Sequence, residues 1–225
     1  MSRKTNKINI DRAELLFSVS APRELPGQKQ FELSVVGRSN VGKSSIINYI
    51  LNKKGLAHTS RTPGRTRLAN YFQVDLHRGL QTARLHLVDL PGYGYAKIGK
   101  SERQRLQKLL QAYLVKEQRQ GLCLLLIDGR RADANDMDRE IFYGLGEQGR
   151  KPVVVLTKMD QIAKAKQIGV RKKIERQLDD AQIVFSSAKK GQGRGQLWEL
   201  IWASMHPLAA ALDHEPDPVQ ATNDA

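Results

Sequence analysis

One short glycine-containing segment constrains the fold of this chain more than any other feature of its sequence. Residues 37–44 read GRSNVGKS and fit the pattern G-x-x-x-x-G-K-[ST]. In this pattern the glycines let the backbone curl until successive N–H groups point at phosphate oxygens, and the lysine adds positive charge. A predicted strand at residues 31–36 precedes the segment, and a predicted helix at residues 44–51 follows it. The sequence therefore predicts a phosphate-binding loop inside a strand–loop–helix unit.

The remainder of the chain alternates short apolar runs with amphipathic stretches. The apolar runs predict strands at residues 70–76, 82–88, 122–127, 153–156 and 183–185. The amphipathic stretches predict helices at residues 101–118, 135–144, 170–178 and 196–205. This alternation favours an α/β fold with a mostly parallel sheet, one antiparallel hairpin at its edge, and helices on both faces.

The length of 225 residues suits one domain with a hydrophobic core of its own. We assign residues 1–28 to a partly ordered N-terminal extension, 29–206 to the α/β domain, and 207–225 to a flexible tail. The tail is acidic because it contains Asp and Glu but no Lys or Arg.

The composition points to a soluble cytoplasmic protein. The longest strictly apolar run, residues 122–127, is far shorter than the roughly 20 residues that a bilayer span needs. Residues 1–28 lack the apolar stretch of a secretory signal. The single cysteine, Cys123, cannot form an internal disulfide, which suits a reducing compartment.

Two further segments are predicted to complete the phosphate site with a Mg²⁺ ion. Asp89 follows a predicted strand and can hold Mg²⁺ through a bound water, while Gly92 leaves its backbone N–H free to approach the terminal phosphate. Ser44 offers a hydroxyl to the same ion, and Thr66 adds a second one when a γ-phosphate is present. The predicted metal ligands are Ser44, Thr66 and, via water, Asp89. The predicted phosphate-binding residues are Gly37, Arg38, Ser39, Asn40, Val41, Gly42, Lys43, Ser44, Gly64, Arg65, Thr66, Arg67, Leu68, Asp89, Leu90, Pro91 and Gly92.

Another pair of segments, residues 157–160 and 186–188, is predicted to bind the base. Guanine presents two adjacent donors, N1–H and the N2 amino group, and the carboxylate of Asp160 can accept from both. Adenine carries an acceptor at N1, which this carboxylate repels, so Asp160 favours GTP over ATP. The stem of Lys158 can cover the base plane, and residues 186–188 can offer backbone N–H to guanine O6. The predicted base-binding residues are Thr157, Lys158, Met159, Asp160, Ser186, Ser187 and Ala188.

Taken together, five segments resemble the EngB family of bacterial GTPases, in the Era-like group of the TRAFAC class. They are GRSNVGKS at 37–44, TPGRT at 62–66, DLPGYGYAK at 89–97, TKMD at 157–160 and SSAK at 186–189. The resemblance covers roughly residues 11–205, and DLPGYGYAK is its most family-specific string. Generic GTPases usually have Asn where Thr157 stands, whereas threonine is typical of EngB-like chains.

The resemblance implies Mg²⁺-dependent binding of GTP and GDP, with hydrolysis of GTP. It also implies a role in late assembly of the large ribosomal subunit, through contact with its precursor and rRNA, and a requirement for normal cell division and septation. We expect a monomer without stable membrane association.

The residue after Gly92 predicts slow intrinsic hydrolysis. Many GTPases place a glutamine there to orient the attacking water, but this chain has Tyr93. Asn40 either ligates a K⁺ ion, as asparagine does in similar GTPases, or forms a hydrogen bond at the start of the helix. Nothing in the sequence selects among the nearby arginines 38, 65 and 67 as a further catalytic group. The catalytic candidates are Lys43, Thr66, Gly92 and Asn40.

The net charge of +14 predicts a polyanionic partner. Many cations flank the two segments expected to move with the nucleotide, and we hypothesise that GTP orders them into one rRNA-binding face. The alternative is an ordinary solvated surface. The cations are Lys53, Lys54, Arg61, Arg65, Arg67, Lys97, Lys100, Arg103, Arg105 and Lys108.

Two other functions are open at this stage. One is a direct regulator of septation that does not act through the ribosome, although no amphipathic membrane helix or lipidation signal supports it. The other is a P-loop kinase for a small molecule, which the guanine-selective residues 157–160 disfavour. The five histidines and one cysteine show no metal-ligand spacing, so Mg²⁺ is the only divalent ion expected.

Overall fold

The computed structural model describes residues 7–27, 30–57, 68–94, 99–115, 121–150 and 152–212, with side chains described to Met205. The strands within these residues are β1 (Ile8–Val19), β2 (Phe31–Gly37), β3 (Ala69–Arg78), β4 (Gln81–Asp89), β5 (Gly121–Asp128), β6 (Val153–Thr157) and β7 (Gln182–Phe185). The α-helices are α1 (Lys43–Ile50), α2 (Lys100–Val115), α3 (Asp136–Glu147), α4 (Lys164–Glu175) and α5 (Arg194–Leu212), with 3-10 turns at Pro22–Glu24 and Met159–Gln161.

All seven strands form one sheet in the order β1-β3-β4-β2-β5-β6-β7. The strands from β4 to β7 pair in parallel, and β3 pairs with β4 as an antiparallel hairpin. Every residue of β2 and β6 is buried, as expected for parallel strands covered on both faces. The predicted α/β fold class is therefore confirmed.

Beyond the hairpin the sheet has one further strand, which the sequence analysis did not predict. β1 pairs antiparallel with β3 from Ile8 opposite Arg78 to Val19 opposite Ala69. The outer edge is therefore β1 and not the hairpin, and most of the segment assigned to a partly ordered extension has a regular place in the sheet. Register shifts between Ile10 and Arg12 and between Leu15 and Phe17 interrupt the alternation of β1, which hides the period of two that identifies a half-buried strand.

The sheet separates two hydrophobic cores. On one face, Ile47 of α1 and Trp198 of α5 pack with Leu33 and Val35 of β2. On the other face, the core is formed by apolar residues of α2, α3 and α4 together with the alternate residues of the same strands. Successive strand residues point to opposite faces, so a single strand such as β5 contributes Leu124 and Leu125 to different cores.

Two helix boundaries differ most from the predicted ones. α4 begins at Lys164, before the predicted start at residue 170. The prediction missed the first half of this helix because that half is mostly exposed and shows no apolar period. α5 continues to Leu212, past residue 207, where the tail is predicted to begin. Residues 213–225 lie outside the described part of the chain.

Across the described residues, none of the helices combines the length and apolar character that crossing a bilayer would require.

Candidate nucleotide-binding site

The phosphate-binding loop connects β2 to α1, as the sequence predicts. Its two glycines are required for different reasons. A Cβ on Gly37 would lie 2.9 Å from the backbone oxygen of Leu126 and 3.0 Å from Cγ1 of Val41, so close packing excludes a side chain there. Gly42 has φ of 104° at the N-cap of α1, in the left-handed region that favours glycine. The loop is therefore held tightly against β5 and turns sharply into the helix.

Lys43 and Asp89, the predicted phosphate cation and metal-site carboxylate, form a buried ion pair. Lys43 Nζ donates to Asp89 Oδ1, and the two residues are 8% and 2% exposed. Asp89 is the last residue of β4, and Ser44 lies beside Lys43 in the first turn of α1. A hydroxyl and a carboxylate at the end of a parallel strand are oxygen donors of the kind that Mg²⁺ prefers, so the residues present fit this ion.

The backbone after Gly92 is attached to the phosphate-binding loop. The N–H of Ser39 donates to the backbone oxygen of Tyr93 at 2.8 Å, and the N–H of Tyr93 donates to that of Gly37 at 3.4 Å. Leu90 is attached in the same way, since its N–H donates to the backbone oxygen of Val35 at 3.1 Å. Residues 89–93 therefore run along the loop, which places Gly92 next to the predicted phosphate site.

The side chain of Tyr93 points into the protein, where it contacts a carboxylate that sequence analysis missed. Its hydroxyl donates to Oδ1 of Asp138, and Oδ2 of the same carboxylate accepts from the backbone N–H of Asn135 at 2.9 Å. Burial raises the pKa of the Tyr93 hydroxyl and also that of the Asp138 carboxyl. The ring that replaces the water-orienting glutamine is thus packed among α2 and α3. The pattern Asn135-x-x-Asp138 predicts a capped helix, but nothing in it indicates contact with Tyr93.

Replacing Tyr93 by phenylalanine should lower the free energy of unfolding by about 1–3 kcal/mol at pH 7, because Oδ1 of the buried Asp138 loses its donor. Since the charged carboxylate needs this donor most, the pKa of Asp138 should rise further in the variant. The deficit should therefore be smaller at pH 4 than at pH 7, which urea denaturation at both pH values can measure. Tyr143→Phe is the matched control because the Tyr143 hydroxyl is on an exposed residue. Equal deficits at both pH values would contradict this account.

Two hydrogen bonds connect the predicted base loop to the phosphate-binding loop, and a third connects it to the end of β5. Thr157, which is 1% exposed, donates from Oγ1 to the backbone oxygen of Val41 at 2.7 Å. Lys158 has φ of 59°, and its Nζ donates to the backbone oxygen of Asn40 at 2.6 Å and to Oδ2 of Asp128 at 2.9 Å. Threonine at position 157 therefore has a definite structural role, which is to fix the distance between the two loops.

Asp128 is a second carboxylate that the sequence analysis missed. It ends β5 and bonds both Lys158 and Arg130, whose Nη2 lies 2.7 Å from Oδ2. Burial would raise the pKa of the Asp128 carboxyl, but the hydrogen bonds from Arg130 and Lys158 outweigh it and lower the pKa to about 2. Asp128 therefore stays ionised and holds the Lys158 side chain in place. Its position at the end of a parallel strand was the available signal, because Asp89 occupies the same position in β4.

Asp160 contacts the other predicted base-binding segment, residues 186–188. Oγ of Ser187 donates to Oδ1 of Asp160 at 2.6 Å, and the N–H of Met159 donates to the backbone oxygen of Ser186 at 3.2 Å. The strands β6 and β7 are parallel neighbours, so the loops that follow them meet at one edge of the sheet. Ser187 therefore orients the carboxylate that is predicted to read guanine.

Replacing Thr157 by valine should destabilise the protein by about 1–3 kcal/mol, because the backbone oxygen of Val41 loses its buried donor while the side-chain shape is kept. The two loops should also become less fixed, so the affinity for GTP should fall. Thr157→Ser restores the hydroxyl and should recover most of both properties. Thermal unfolding and nucleotide titration measure the two effects. Full GTP affinity in the valine variant would exclude this role.

The structure brings together most of the predicted site. The phosphate-binding loop, residues 89–92, residues 157–160 and residues 186–188 all lie at the carboxyl ends of the parallel strands. Leu68 immediately precedes β3. Gly64, Arg65, Thr66 and Arg67 lie outside the described residues, so the second predicted metal hydroxyl stays a prediction.

The hypothesis of a nucleotide-ordered basic face is only partly addressed. Arg61, Arg65, Arg67 and Lys97 lie outside the described residues. Lys53 and Arg105 are examples of described cations with internal partners. Lys53 Nζ donates to the backbone oxygen of Ala13 at 2.9 Å, and Arg105 Nη2 lies 2.8 Å from Glu102. These two cations are therefore less available for an external anion than the sequence suggests.

Comparisons with known proteins show the family to which this chain belongs. The profile of a family described as 50S ribosome-binding GTPase matches residues 32–158. A protein of Chlorobaculum parvum named "Probable GTP-binding protein EngB" is 42% identical over 193 residues, which cover 85% of this chain and 96% of that protein. A protein of Natranaerobius thermophilus with the same name is 39% identical over 198 residues, covering 86% and 98%.

Solved structures show the same fold. A crystal structure of a protein described as a probable GTP-binding protein engB has a TM-score of 0.59 at 19% identity, and it covers 78% of this chain and 99% of that one. The Era protein of Aquifex aeolicus bound to GDP and AlF4⁻ also has a TM-score of 0.59, at 24% identity over 85% of this chain and 59% of Era.

Proposed function

Because this chain belongs to the EngB family of GTP-binding GTPases, we propose that it is a slow GTPase that acts as a nucleotide-gated factor in assembly of the large ribosomal subunit. The matched family description, 50S ribosome-binding GTPase, supports the ribosomal partner. In this proposal the protein acts in the cytoplasm as a monomer, contacts the subunit precursor and its rRNA, and affects cell division and septation through translation.

One observation carries the guanine-dependent part of the proposal. Asp160 is oriented by Ser187, while Lys158 and Thr157 connect its loop to the phosphate-binding loop. Recognition of the base is thereby mechanically coupled to recognition of the phosphates. A nucleotide with the wrong base leaves the Asp160 carboxylate without its donors, and this mispairing is what excludes ATP.

For hydrolysis, the residues of this chain supply positioning more than proton transfer. A water attacks the γ-phosphorus, the bond to the β-phosphate oxygen breaks, and GDP leaves. Lys43 and the backbone N–H of Gly92 bind the phosphate oxygens, where negative charge accumulates. Mg²⁺, when bound, supplies charge neutralisation at the phosphates, and Ser44 and Asp89 are the described residues that would hold it.

The slow rate is proposed from the orientation of Tyr93. Its hydroxyl donates a hydrogen bond to Asp138 inside the core, so this group is not directed at a water over the phosphates. Asn40 has φ of 64° in the phosphate-binding loop and is exposed, so its side chain is available to a cation. We keep K⁺ binding by Asn40 as part of the proposal.

Exchange of K⁺ for Na⁺ tests this cation role. If Asn40 ligates K⁺, GTP hydrolysis should be about tenfold or more faster in K⁺ than in Na⁺, the size of effect expected from one extra charge at the transferring phosphate. Asn40→Ala should abolish that difference while GTP binding is retained. Equal rates in the two salts would assign Asn40 to the helix start alone.

Gradient sedimentation with large-subunit precursors tests the proposed function. The wild-type protein should co-migrate with the precursors in a non-hydrolysable GTP analogue but not in GDP or an ATP analogue, at physiological salt. Raised salt distinguishes specific binding from general attraction of a basic protein to RNA. Absence of co-migration, or co-migration indifferent to the nucleotide, would contradict the proposal and favour direct regulation of septation.

A further inference from the structure

The outer surface of α4 combines strong positive charge with features that weaken the helix. Only Ile174 of this helix is buried. Its single acidic residue, Glu175, is paired with Arg171 at 2.7 Å. Five further cations lie on α4 or at its C-cap, are exposed, and make no ion pair among the described residues; they are Lys164, Lys166, Lys172, Lys173 and Arg176.

The beginning of α4 carries charge of the unfavourable sign. A helix N-terminus is electropositive and is stabilised by acidic residues and a side-chain cap. The N-cap of α4 is Ala163, which provides no side-chain hydrogen bond, and the first turn contains lysine but no acidic residue. In α3, by contrast, Asn135 caps the first turn and Asp136 follows it. Lys164 and Lys166, near the start of α4, therefore reduce the stability of the helix, whereas Lys172 and Lys173 lie in its last turn, where positive charge is favourable.

The middle of α4 has two further residues that intramolecular packing does not explain. A Cβ on Gly169 would meet nothing within 4 Å, so no contact within the described chain requires glycine. Glycine nevertheless weakens a helix relative to alanine. The neighbouring Ile168 is 64% exposed. Local choices that cost stability without gain inside the fold are expected at functional surfaces.

The helical period places Gly169 and most of the exposed cations of α4 on the side of the helix that faces away from the core. Ile174 points to the core, and positions 169, 172 and 176 lie on the opposite side at spacings of three, four and seven residues. Lys166 and Lys173 flank this side. From Lys166 to Arg176 the helix rises about 15 Å, so its cations can contact several successive phosphates of a nucleic acid strand. Gly169 lies between them and permits close approach of a backbone.

We propose that the outer face of α4, formed by Lys166, Gly169, Lys172, Lys173 and Arg176, binds the sugar–phosphate backbone of structured rRNA. The inference rests on the proposed function, since it names the surface that contacts the ribosomal precursor. It differs from the basic face hypothesised around the nucleotide-sensitive segments. Gln167 attaches α4 to the base loop through bonds of 3.0 Å to the oxygen of Met159 and 3.1 Å to that of Ile162. The α4 surface itself is therefore the same in the GTP and GDP forms, and the nucleotide dependence of precursor binding comes from other contacts.

Neutralisation of three lysines tests the charge of this face. K166Q/K172Q/K173Q should weaken binding of a transcribed large-subunit rRNA about tenfold or more at low salt and reduce the slope of log affinity against log salt by about 2–3. The loss should be equal with a GTP analogue and with GDP, while GTP affinity is unchanged. The control K7Q/R12Q/R23Q removes the same charge from exposed residues near β1, at the opposite edge of the sheet.

Gly169→Ala tests the close approach independently of charge. The melting temperature of the protein should rise, because alanine favours the helix. The affinity for rRNA should fall, because the added Cβ hinders close approach of the sugar–phosphate backbone of the RNA. A merely structural glycine would not change the two quantities in opposite directions. Unfolding as an explanation for weaker binding is thereby excluded within the same experiment.

Three results would overturn the inference. They are equal losses in the α4 and control variants, unchanged rRNA binding in the α4 variants, and loss of binding only to phosphatidylglycerol vesicles. These outcomes are separate from the test of function. If wild-type protein fails to bind precursors, the proposed function fails. If it binds them and the α4 variants bind equally well, only the α4 surface is wrong.

Discussion

Replacing Asp160 by asparagine should lower the affinity for GTP by about 10³-fold or more and should transfer the preference to xanthosine triphosphate. The carboxylate accepts from both N1–H and the N2 amino group of guanine, whereas the amide of asparagine presents one acceptor and one donor. Xanthine has an oxygen in place of the N2 amino group, and it matches that arrangement. Competition titration with GTP, ATP and xanthosine triphosphate measures the change.

Ser187→Ala is the matched control for this variant. It removes the 2.6 Å hydrogen bond to Asp160 but keeps the carboxylate. The affinity for GTP should fall only modestly, and the order of nucleotide preference should not change. If Asp160→Asn retained its preference for GTP, the base site would be located elsewhere.

Replacing Lys43 by methionine should abolish measurable GTP binding and also destabilise the protein by about 3–5 kcal/mol. The binding loss follows because the phosphates lose their main cation within the loop. The stability loss follows because the carboxylate of Asp89, 2% exposed, loses the cation that pairs with it inside the protein. Nucleotide titration and urea denaturation measure the two effects separately.

The double variant K43M/D89N separates binding from folding. Removing both charges of a buried pair is far less costly than removing one, so most of the lost stability should return. GTP binding should remain absent because no cation is restored. Recovery of binding in the double variant would show that Lys43 acts through folding and not through the phosphates.

Much of the candidate site was predictable because its motifs are local. The phosphate-binding loop needs specific glycines at Gly37 and Gly42, and both requirements are visible as letters in the sequence. The motifs at residues 89–92, 157–160 and 186–188 each follow a run of apolar residues that predicts a strand. Parallel strands end at a common edge, so their convergence also followed from the pattern.

Asp128 and Asp138 were not predictable because their roles depend on distant partners. Asp138 accepts a hydrogen bond from the hydroxyl of Tyr93, which is 45 positions away in the sequence. Asp128 accepts one from Lys158, which is 30 positions away. Each carboxylate alone is typical of a helix cap or a strand end. Burial gives them their function, and burial is decided by packing.

The strand β1 and the helix α4 show the limits of periodicity in the same way. Bulges interrupt the alternation of β1, so it becomes visible only when its pairing with β3 is known. α4 buries a single residue and has no clear apolar stripe, so its first half was missed. Both elements are held by contacts with a neighbouring segment, and the local sequence pattern does not show those contacts.

By itself, the sequence determined the α/β fold, the phosphate-binding loop and the preference for guanine, because backbone freedom and hydrogen-bond complementarity depend on the residue types at fixed spacing. Only the tertiary structure decided where Tyr93 points, which carboxylates hold Tyr93 and Lys158, and that the Thr157 hydroxyl connects the base loop to the phosphate loop. The physical reason is that a buried polar group must find its partner across the core, and that partner can come from any part of the chain.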